Sequence, residues 1–299
     1  MPASTATSTA IASASMTTRP HDGDARTAGL RELDELAAGL SPLPGLSGAA
    51  YATGHAAFEA RSTQRAMLTS WLRDHLSRRT GDMSVLSVGC GDGTVDAALA
   101  TTLAADTGRV VRYGGLDPHA ASAGRFLAAV GVVGGVEVSA AVGRAEELPD
   151  GPAYDVVICL HSIYYVKDLG RTVRALVERL APGGEVIIGV APRGDLNVLA
   201  ATLAPEVDGS RQWWAEDLAE QLVVAELQAE RVSLHGRLHL DDCLDPCDPT
   251  GREVLDFAVQ AVLPDSLRLP VLDHLISLRL PGPGLVLDHP VDVVVVPGR

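Results

Sequence analysis

A strand, a glycine-rich turn and a helix follow one another without interruption in residues 84–103. Residues 85–88, Val-Leu-Ser-Val, form a short apolar strand, and Gly89, Gly91 and Gly93 follow it directly. Glycines are needed where a nucleotide lies against the backbone, because a side chain there would collide with it. The segment predicts a nucleotide site, although a purely structural turn uses similar glycines and stays open as an alternative on this motif alone.

An acidic residue follows the glycine turn at the end of the next predicted strand. Asp117 comes after Gly115-Leu116, close to the spacing of about 20 residues at which a carboxylate accepts the ribose hydroxyls of a bound nucleotide. Asp117 also precedes Pro118, so it could instead only cap a helix. Together with the glycines, it strengthens the prediction of a nucleotide site.

Short strands alternate with helices through the middle of the chain. This alternation predicts a doubly wound α/β fold with a parallel sheet, because each crossover helix returns the chain to the same edge of the sheet. Later elements are expected to complete the sheet and to form a substrate lid. Predicted strands are 84–88, 112–116, 154–160, 185–190, 230–240 and 291–296, and predicted helices are 31–40, 51–76, 94–103, 120–130, 171–180, 196–203, 215–225 and 253–262.

Composition narrows the possible partners. No run of 18 apolar residues occurs, which argues against a membrane span, and the formal charge of −14 disfavours a nucleic-acid substrate. Four cysteines are too few for a disulfide scaffold, so a reducing cytoplasm is expected. Nothing in the pattern requires more than a monomer.

Three later segments carry a family resemblance. Residues 143–149, Gly-Arg-Ala-Glu-Glu-Leu-Pro, resemble the adenine-contacting loop of class I S-adenosylmethionine-dependent methyltransferases. Residues 154–160 resemble the fourth strand of that family, and Leu-Ala-Pro-Gly-Gly at 180–184 is typical of it. The resemblance implies a seven-stranded, Rossmann-like methyltransferase sheet with N-terminal pocket helices and S-adenosylmethionine as cofactor.

A narrower resemblance points to histamine N-methyltransferase and its relatives. Most class I enzymes have an acidic residue at the position of Ser87. The histamine enzyme has a serine there, as this chain does. Residues 161–168, His-Ser-Ile-Tyr-Tyr-Val-Lys-Asp, resemble the segment after its fourth strand, and Tyr51, Phe58 and Ser62-Thr63 recur at matching spacing. The resemblance spans roughly residues 51–296 and implies methyl transfer to a nitrogen of an imidazole or amine.

By this resemblance the site residues fall into two groups. The predicted donor-binding residues are Gly89, Gly91, Gly93, Asp117, Ser122, Ala145, Glu146 and Leu160. Many relatives have an acidic residue at the position of Arg144, and either Glu146 or backbone contacts from Ala145 could take its place. The predicted acceptor-binding residues are Tyr51, Phe58, Gln64, His161, Tyr164, Tyr165 and His289.

The acceptor residues depart from the family pattern. The histamine enzyme has glutamate, glutamine and asparagine where this chain has Gln64, His161 and His289, and its two pocket tryptophans give way to small or aliphatic residues near Leu196 and Ala200. An O- or C-methyltransferase that tailors a natural product therefore stays open, as does a catalytically silent cofactor-binding protein.

His161 and His289 are the predicted catalytic residues. We expect at least one of them to bind the substrate or to act as a general base, since an alkyl amine or a hydroxyl must lose a proton before it attacks. A structural role for either is the alternative. Tyr164 and Tyr165 could enclose a ring or a cation, or could pack in the core.

A metal site is not expected. His235, His239, Cys243 and Cys247 recur every four residues, but Gly236 and Pro246 argue against the helix that would align them.

We divide the chain into a disordered tail (1–28) and a methyltransferase domain (29–299). Within that domain we expect an N-terminal helical cap (29–80), a cofactor-binding half (81–190) and a lid that completes the sheet (191–299).

Overall fold

Seven strands form one mixed sheet in the computed structural model, which describes residues 20–40, 42–105, 109–148, 151–204 and 212–298, with only the backbone for residues 20–26 and 165. The strands are β1 (Met83–Val88), β2 (Val111–Asp117), β3 (Val136–Val142), β4 (Tyr154–Leu160), β5 (Leu180–Val190), β6 (Glu230–His239) and β7 (Val286–Pro297). Their order is β3-β2-β1-β4-β5-β7-β6. Strands β1 to β5 are parallel, and β7 is antiparallel to both neighbours. The predicted doubly wound, methyltransferase-type α/β fold is confirmed.

Ten α-helices of the described residues surround this sheet. They are α1 (Pro20–Ala38), α2 (Gly48–Glu59), α3 (Gln64–Leu76), α4 (Thr94–Ala104), α5 (Ala120–Gly131), α6 (Leu169–Glu178), α7 (Asp195–Leu203), α8 (Ala215–Val224), α9 (Pro249–Ala258) and α10 (Asp265–Ser277). Helix α1 begins inside the segment that the sequence assigns to a disordered tail. No described helix has both the length and the apolar character needed to cross a bilayer.

The central strands are buried on both faces, and alternate residues pack into different cores. On one face Ile158 and Ile187 pack with Leu72 of α3 and with side chains of α4 and α5. On the other face Val157 and Val186 pack with side chains of α6 and α8. This alternation is the strand period of two, and burial of both faces explains why these strands read as continuous apolar runs.

A third core lies away from these two clusters and joins the two ends of the chain. Leu33 of α1, Phe58 of α2 and Leu199 of α7 pack with Val254 of α9 and Leu272 of α10. Residues that the sequence divides between an N-terminal cap and a C-terminal lid therefore share one hydrophobic cluster. We call these five helices, α1, α2, α7, α9 and α10, the cap.

The sequence pattern does not predict two elements that the structure contains, β3 and α10. Strand β3 lies at the sheet edge and is half-exposed or exposed throughout, so it lacks the apolar run that marks the central strands. Helix α10 contains Pro270, a residue that argues against a helix interior. The segment Pro182–Gly184, expected to end a helix, instead forms an irregularity inside β5, where the register to β4 shifts.

Leu72 tests how strongly α3 is held on the sheet. Its side chain is fully buried, so we expect Leu72→Ala to lower the free energy of unfolding by about 2–5 kcal/mol, as the apolar contacts are lost and a cavity remains. Urea denaturation followed by circular dichroism measures this change. Leu127→Ala is the matched control, because Leu127 is 39% exposed and its loss should cost little. Equal losses in the two variants would contradict the packing described.

Candidate active site

The glycine turn between β1 and α4 takes a conformation that glycine favours. Gly89, Gly91 and Gly93 have φ angles of 70°, 58° and 75°, in the left-handed region. A Cβ on Gly89 would lie 2.2 Å from Cβ of Ser162, and a Cβ on Gly93 would lie 2.8 Å from Cα of Phe126. A Cβ on Gly91 would meet nothing within 4 Å. The turn is therefore packed against protein at its two ends and open at its centre, where a nucleotide would lie.

Asp117 ends β2 beside this turn and is buried, with 6% of its surface exposed. Its Oδ2 accepts a hydrogen bond from the backbone N–H of Gly91 at 3.0 Å, and its Oδ1 accepts from the N–H of His119 at 2.9 Å. A carboxylate has about four acceptor sites, so two backbone bonds leave capacity for the two ribose hydroxyls. The carboxylate holds the turn in place and fits the nucleoside of a donor.

A second buried carboxylate lies under the turn, and the sequence motif does not reveal it. Asp96 of α4 accepts a hydrogen bond from Oη of Tyr113 at 2.9 Å. Burial raises the pKa of Asp96 to about 6. A buried carboxylate is thus present on the neighbouring helix, although position 87 itself is a serine. The signal in the sequence is an aspartate on the apolar face of α4.

The remaining predicted donor residues lie at the same edge of the sheet. Leu160 ends β4, Ser122 lies in the first turn of α5, and Ala145 begins a short 3₁₀ turn after β3. Glu146 accepts a hydrogen bond from the backbone N–H of Lys167 at 2.9 Å, so part of its carboxylate is used to hold the segment after β4. Pro149, the last residue of the predicted adenine loop, lies outside the described residues.

A cavity of about 150 Å³ opens next to this edge, between the cap and the ends of β4 and β7. It brings together six of the seven predicted acceptor residues, although they are spread over more than two hundred positions of the sequence. The seventh, Tyr165, has its side chain outside the described part of the chain. The six are Tyr51, Phe58, Gln64, His161, Tyr164 and His289.

His161 has an unusual backbone for a residue at the end of a strand. Its φ is 49°, which is uncommon for any residue other than glycine, and its N–H donates to the carbonyl of Gly189 at 2.8 Å. Its Nδ1 lies 2.9 Å from Oη of Tyr164. Burial lowers the pKa of His161 to about 4, so the ring is neutral at pH 7.

His289 approaches the cavity from β7. Its Nδ1 lies 2.7 Å from Oγ of Ser62, and its ring meets the Phe58 ring edge to face at a centroid distance of 5.1 Å. Burial lowers the pKa of His289 to about 4 as well. Both predicted catalytic histidines are therefore uncharged near neutral pH.

Gln64 holds α3 against β7. Its Nε2 donates to the carbonyl oxygens of His289 at 3.2 Å and Pro290 at 2.9 Å, and the side chain is 3% exposed. A glutamate, as in the histamine enzyme, would place a carboxylate against two carbonyl oxygens, which is unfavourable. The glutamine therefore has a structural role here that a carboxylate could not fill.

The aromatic wall of the cavity is more complete than the sequence indicated. Leu196 and Ala200 line the cavity, as expected, but Trp214 lines it too and packs against Tyr164 at a centroid distance of 5.8 Å. Phe257 contacts both Tyr51 and Phe58 from the cap. Neither Trp214 nor Phe257 lies in a recognisable motif, so only the fold could place them here.

The four-residue repeat of histidines and cysteines does not form a helix. His235 and His239 lie on β6, Cys243 is buried in a 3₁₀ turn, and Cys247 is exposed. Among the described residues, no group of three or more histidine, cysteine or acidic side chains is arranged to hold a metal ion.

Sequence relatives and solved structures both resemble this chain. Ubiquinone biosynthesis O-methyltransferase from Rickettsia conorii is 31% identical over 147 residues, which cover 49% of this chain and 48% of that protein. The same-named protein from Pseudomonas putida is 30% identical over 141 residues, which cover 46% and 56%. This chain therefore spans about half the length of the curated relatives it matches.

The crystal structure of the YcgJ protein from Bacillus subtilis superposes with a TM-score of 0.53 at 15% identity, covering 77% of this chain and 97% of that one. At such identity the likeness concerns the fold. These comparisons do not single out the histamine N-methyltransferase branch, and the sequence relatives named above are O-methyltransferases.

A family model described as a methyltransferase domain matches residues 60–243, more than half of the chain. The match includes the glycine turn, Asp117 and the segment after β4. It confirms the predicted enzyme class and its donor. The chain belongs to the S-adenosylmethionine-dependent methyltransferase domain family.

Proposed function

We propose that this protein transfers a methyl group from S-adenosylmethionine to a hydroxyl oxygen of a small molecule with one aromatic ring. The observation that carries this proposal is an aromatic cavity without net charge, next to the glycine turn. Glu59 is the one acidic residue among the described residues that line it, and Glu59 pairs with Arg65 at 2.8 Å. A cationic amine would find no free carboxylate there, whereas a neutral phenol needs none.

Residues of the glycine turn and the sheet edge would hold the donor. Gly91 leaves open space for the nucleoside, and Asp117 would accept the ribose hydroxyls. Ala145, Glu146 and Leu160 would flank the adenine. The remaining proposed donor contacts are Gly89, Gly93 and Ser122. The donor supplies a methyl group already activated on a sulfonium, so the protein mainly has to orient the nucleophile and exclude water.

The cavity suits a single ring. An apolar cavity of about 150 Å³ can bind benzene, and this one has a similar volume with walls formed by Tyr51, Phe58, Trp214 and Phe257. Aromatic walls bind a flat ring by stacking and edge contacts. His161 and His289 would then hydrogen-bond to the acceptor hydroxyl. The names of the sequence relatives, O-methyltransferases, support oxygen as the methylated atom.

Methylation at nitrogen is the second candidate. The segment at residues 161–168 resembles that of histamine N-methyltransferases, and a neutral imidazole would enter an uncharged cavity as readily as a phenol. An alkylammonium ion is less suited, because Gln64 replaces the family's glutamate. Imidazoles and aromatic amines are therefore the nitrogen acceptors that the cavity supports.

An acceptor panel separates these candidates. Incubation with donor carrying a labelled methyl group and with single-ring phenols, imidazoles, alkyl amines and carboxylic acids should yield methyl ethers of phenols, identified by mass spectrometry. Phenols are expected to react because they match the uncharged ring-sized cavity. Labelling confined to nitrogen would favour the second candidate and contradict the first. Labelling confined to carbon would contradict both.

Asp117→Ala tests the donor site. We expect it to weaken binding of S-adenosylhomocysteine by about tenfold or more, since hydrogen bonds to a charged group contribute about 1.5–3 kcal/mol each. Titration calorimetry measures the affinity. Glu137→Ala is the control, because Glu137 is exposed on the edge strand β3 and should leave binding unchanged. If wild-type protein failed to bind S-adenosylhomocysteine, the proposed methyl transfer would be refuted for oxygen and nitrogen acceptors alike.

The two cavity histidines test the acceptor site. His161→Ala and His289→Ala should each lower kcat/KM for the best acceptor by about 10- to 100-fold, because each removes a hydrogen bond to the reacting group. Donor affinity should change little in either variant. His239→Ala, at an exposed position of β6, provides the control. Unchanged kcat/KM in both cavity variants would show that neither histidine touches the acceptor.

A further inference from the structure

Tyr164 and His161 form a chain of hydrogen bonds that begins at the backbone. The N–H of Ala191 donates to Oη of Tyr164 at 2.8 Å, and this oxygen lies 2.9 Å from Nδ1 of His161. Burial raises the pKa of Tyr164, so the phenol keeps its hydrogen at neutral pH. The backbone N–H can only donate, which fixes the phenol oxygen as an acceptor at that end.

Ser62 and His289 repeat the same arrangement, and His289 lines the same cavity as His161. The N–H of Gln64 donates to Oγ of Ser62 at 3.0 Å, and this oxygen lies 2.7 Å from Nδ1 of His289. Two unrelated segments, one after β4 and one before α3, thus supply each histidine with a hydroxyl that already accepts a hydrogen bond from the backbone.

The hydrogen bond between each hydroxyl and Nδ1 of its histidine decides which ring nitrogen carries the hydrogen, because either group could be the donor. A hydroxyl that accepts from an amide is polarised and becomes a better donor, and the lone pair of a neutral imidazole nitrogen is a good acceptor. Each hydroxyl then donates to Nδ1. In a neutral imidazole the hydrogen must in that case be on Nε2. Nε2 lies on the far side of each ring from its hydroxyl.

Burial is the main cause of the low pKa of both histidines. It lowers the pKa of His161 most, and Arg65, which pairs with Glu59 at 2.8 Å, lowers it further. Burial also lowers the pKa of His289, whereas Asp288, which pairs with His235 at 3.0 Å, acts against it. Both rings are therefore neutral at pH 7, and each has one nitrogen that carries a hydrogen.

We propose that His161 and His289 both present an Nε2–H donor to the cavity, and that these two donors form an oxyanion site which binds the acceptor oxygen in its deprotonated form. This inference rests on the proposed O-methylation and assigns roles within it. Tyr164 and Ser62 are positioning residues, because they act through the histidines. In this proposal the histidines bind the acceptor, which is one of the two roles expected of them from the sequence, and neither acts as a general base.

The reaction balances without a protein base. The acceptor hydroxyl loses its proton to solvent on binding, because two N–H donors stabilise the oxyanion and lower its pKa. A lone pair of that oxygen then forms the O–C bond to the methyl group. The electron pair of the breaking C–S bond stays on sulfur, so the sulfonium becomes a neutral thioether. The methylated product is uncharged, and both donors are regenerated unchanged.

Tautomers can be read directly by NMR. In full-length protein labelled with nitrogen-15 histidine, long-range proton–nitrogen correlations distinguish Nε2–H from Nδ1–H rings, and His161→Gln and His289→Gln assign the signals. We expect both rings as Nε2–H at pH 7. Tyr164→Phe should turn His161 into a mixture of tautomers while His289 stays unchanged, and Ser62→Ala should do the reverse. Each variant is therefore the control for the other.

A dominant Nδ1–H form of either ring in wild-type protein would overturn the proposal. This measurement needs neither an acceptor nor turnover. Its outcome is therefore separate from that of the acceptor panel, and a failed O-methylation assay with both rings as Nε2–H would refute the proposed reaction rather than the arrangement of donors.

Preference for an anion can be measured with 4-nitrophenol, whose anion absorbs visible light. Bound to the complex with S-adenosylhomocysteine, the anion should bind about tenfold more tightly than the neutral phenol, since charge-assisted hydrogen bonds are the stronger ones. His161→Gln should reduce this preference. Equal affinity of the two forms, or no binding of either, would overturn the oxyanion site.

Discussion

The contact between Ser162 and the glycine turn joins the two halves of the site. Oγ of Ser162 donates to the carbonyl of Val88 at 2.7 Å, and the absence of a side chain on Gly89 lets Ser162 lie directly against the turn. This fixes the end of β4 next to the donor turn, and His161 is the residue just before the contact. Methyl transfer requires the reacting atoms to be held close and in line, so the reaction geometry depends on this contact.

The cap completes the cavity by linking distant parts of the chain. Helix α3 packs Leu68 and Leu72 on the sheet, and its first residue, Gln64, is tied to the carbonyls that follow the start of β7. Helices α2 and α9 add Phe58 and Phe257, which contact each other. Phe58 and Phe257 belong to the hydrophobic cluster of the cap, whereas Leu68 and Leu72 belong to a core on the sheet. The cavity therefore depends on both the cap and α3.

The net charge of the chain differs from the charge of the residues that line the cavity. The chain carries a formal charge of −14, yet the residues that line the cavity are mostly uncharged, and Glu59 among them pairs with Arg65. Burial keeps both histidines neutral, because a charged imidazole would lose its hydration there. The net charge therefore describes the surface, where it favours solubility, and says little about what the cavity binds.

The sequence by itself determined the donor half of this protein. The glycine turn, Asp117 and the apolar central strands obey local rules of period and spacing, so the sheet and a nucleotide site could be predicted from them. The methyltransferase family was indicated by the resemblance of residues 143–149, 154–160 and 180–184. Strand β3 and helix α10 could not, since one is a polar edge strand and the other contains Pro270. Only the tertiary structure brought Trp214 and Phe257 to the cavity, placed Asp96 under the turn and paired each histidine with a hydroxyl. These arrangements depend on contacts between residues far apart in the chain, and no local pattern encodes them.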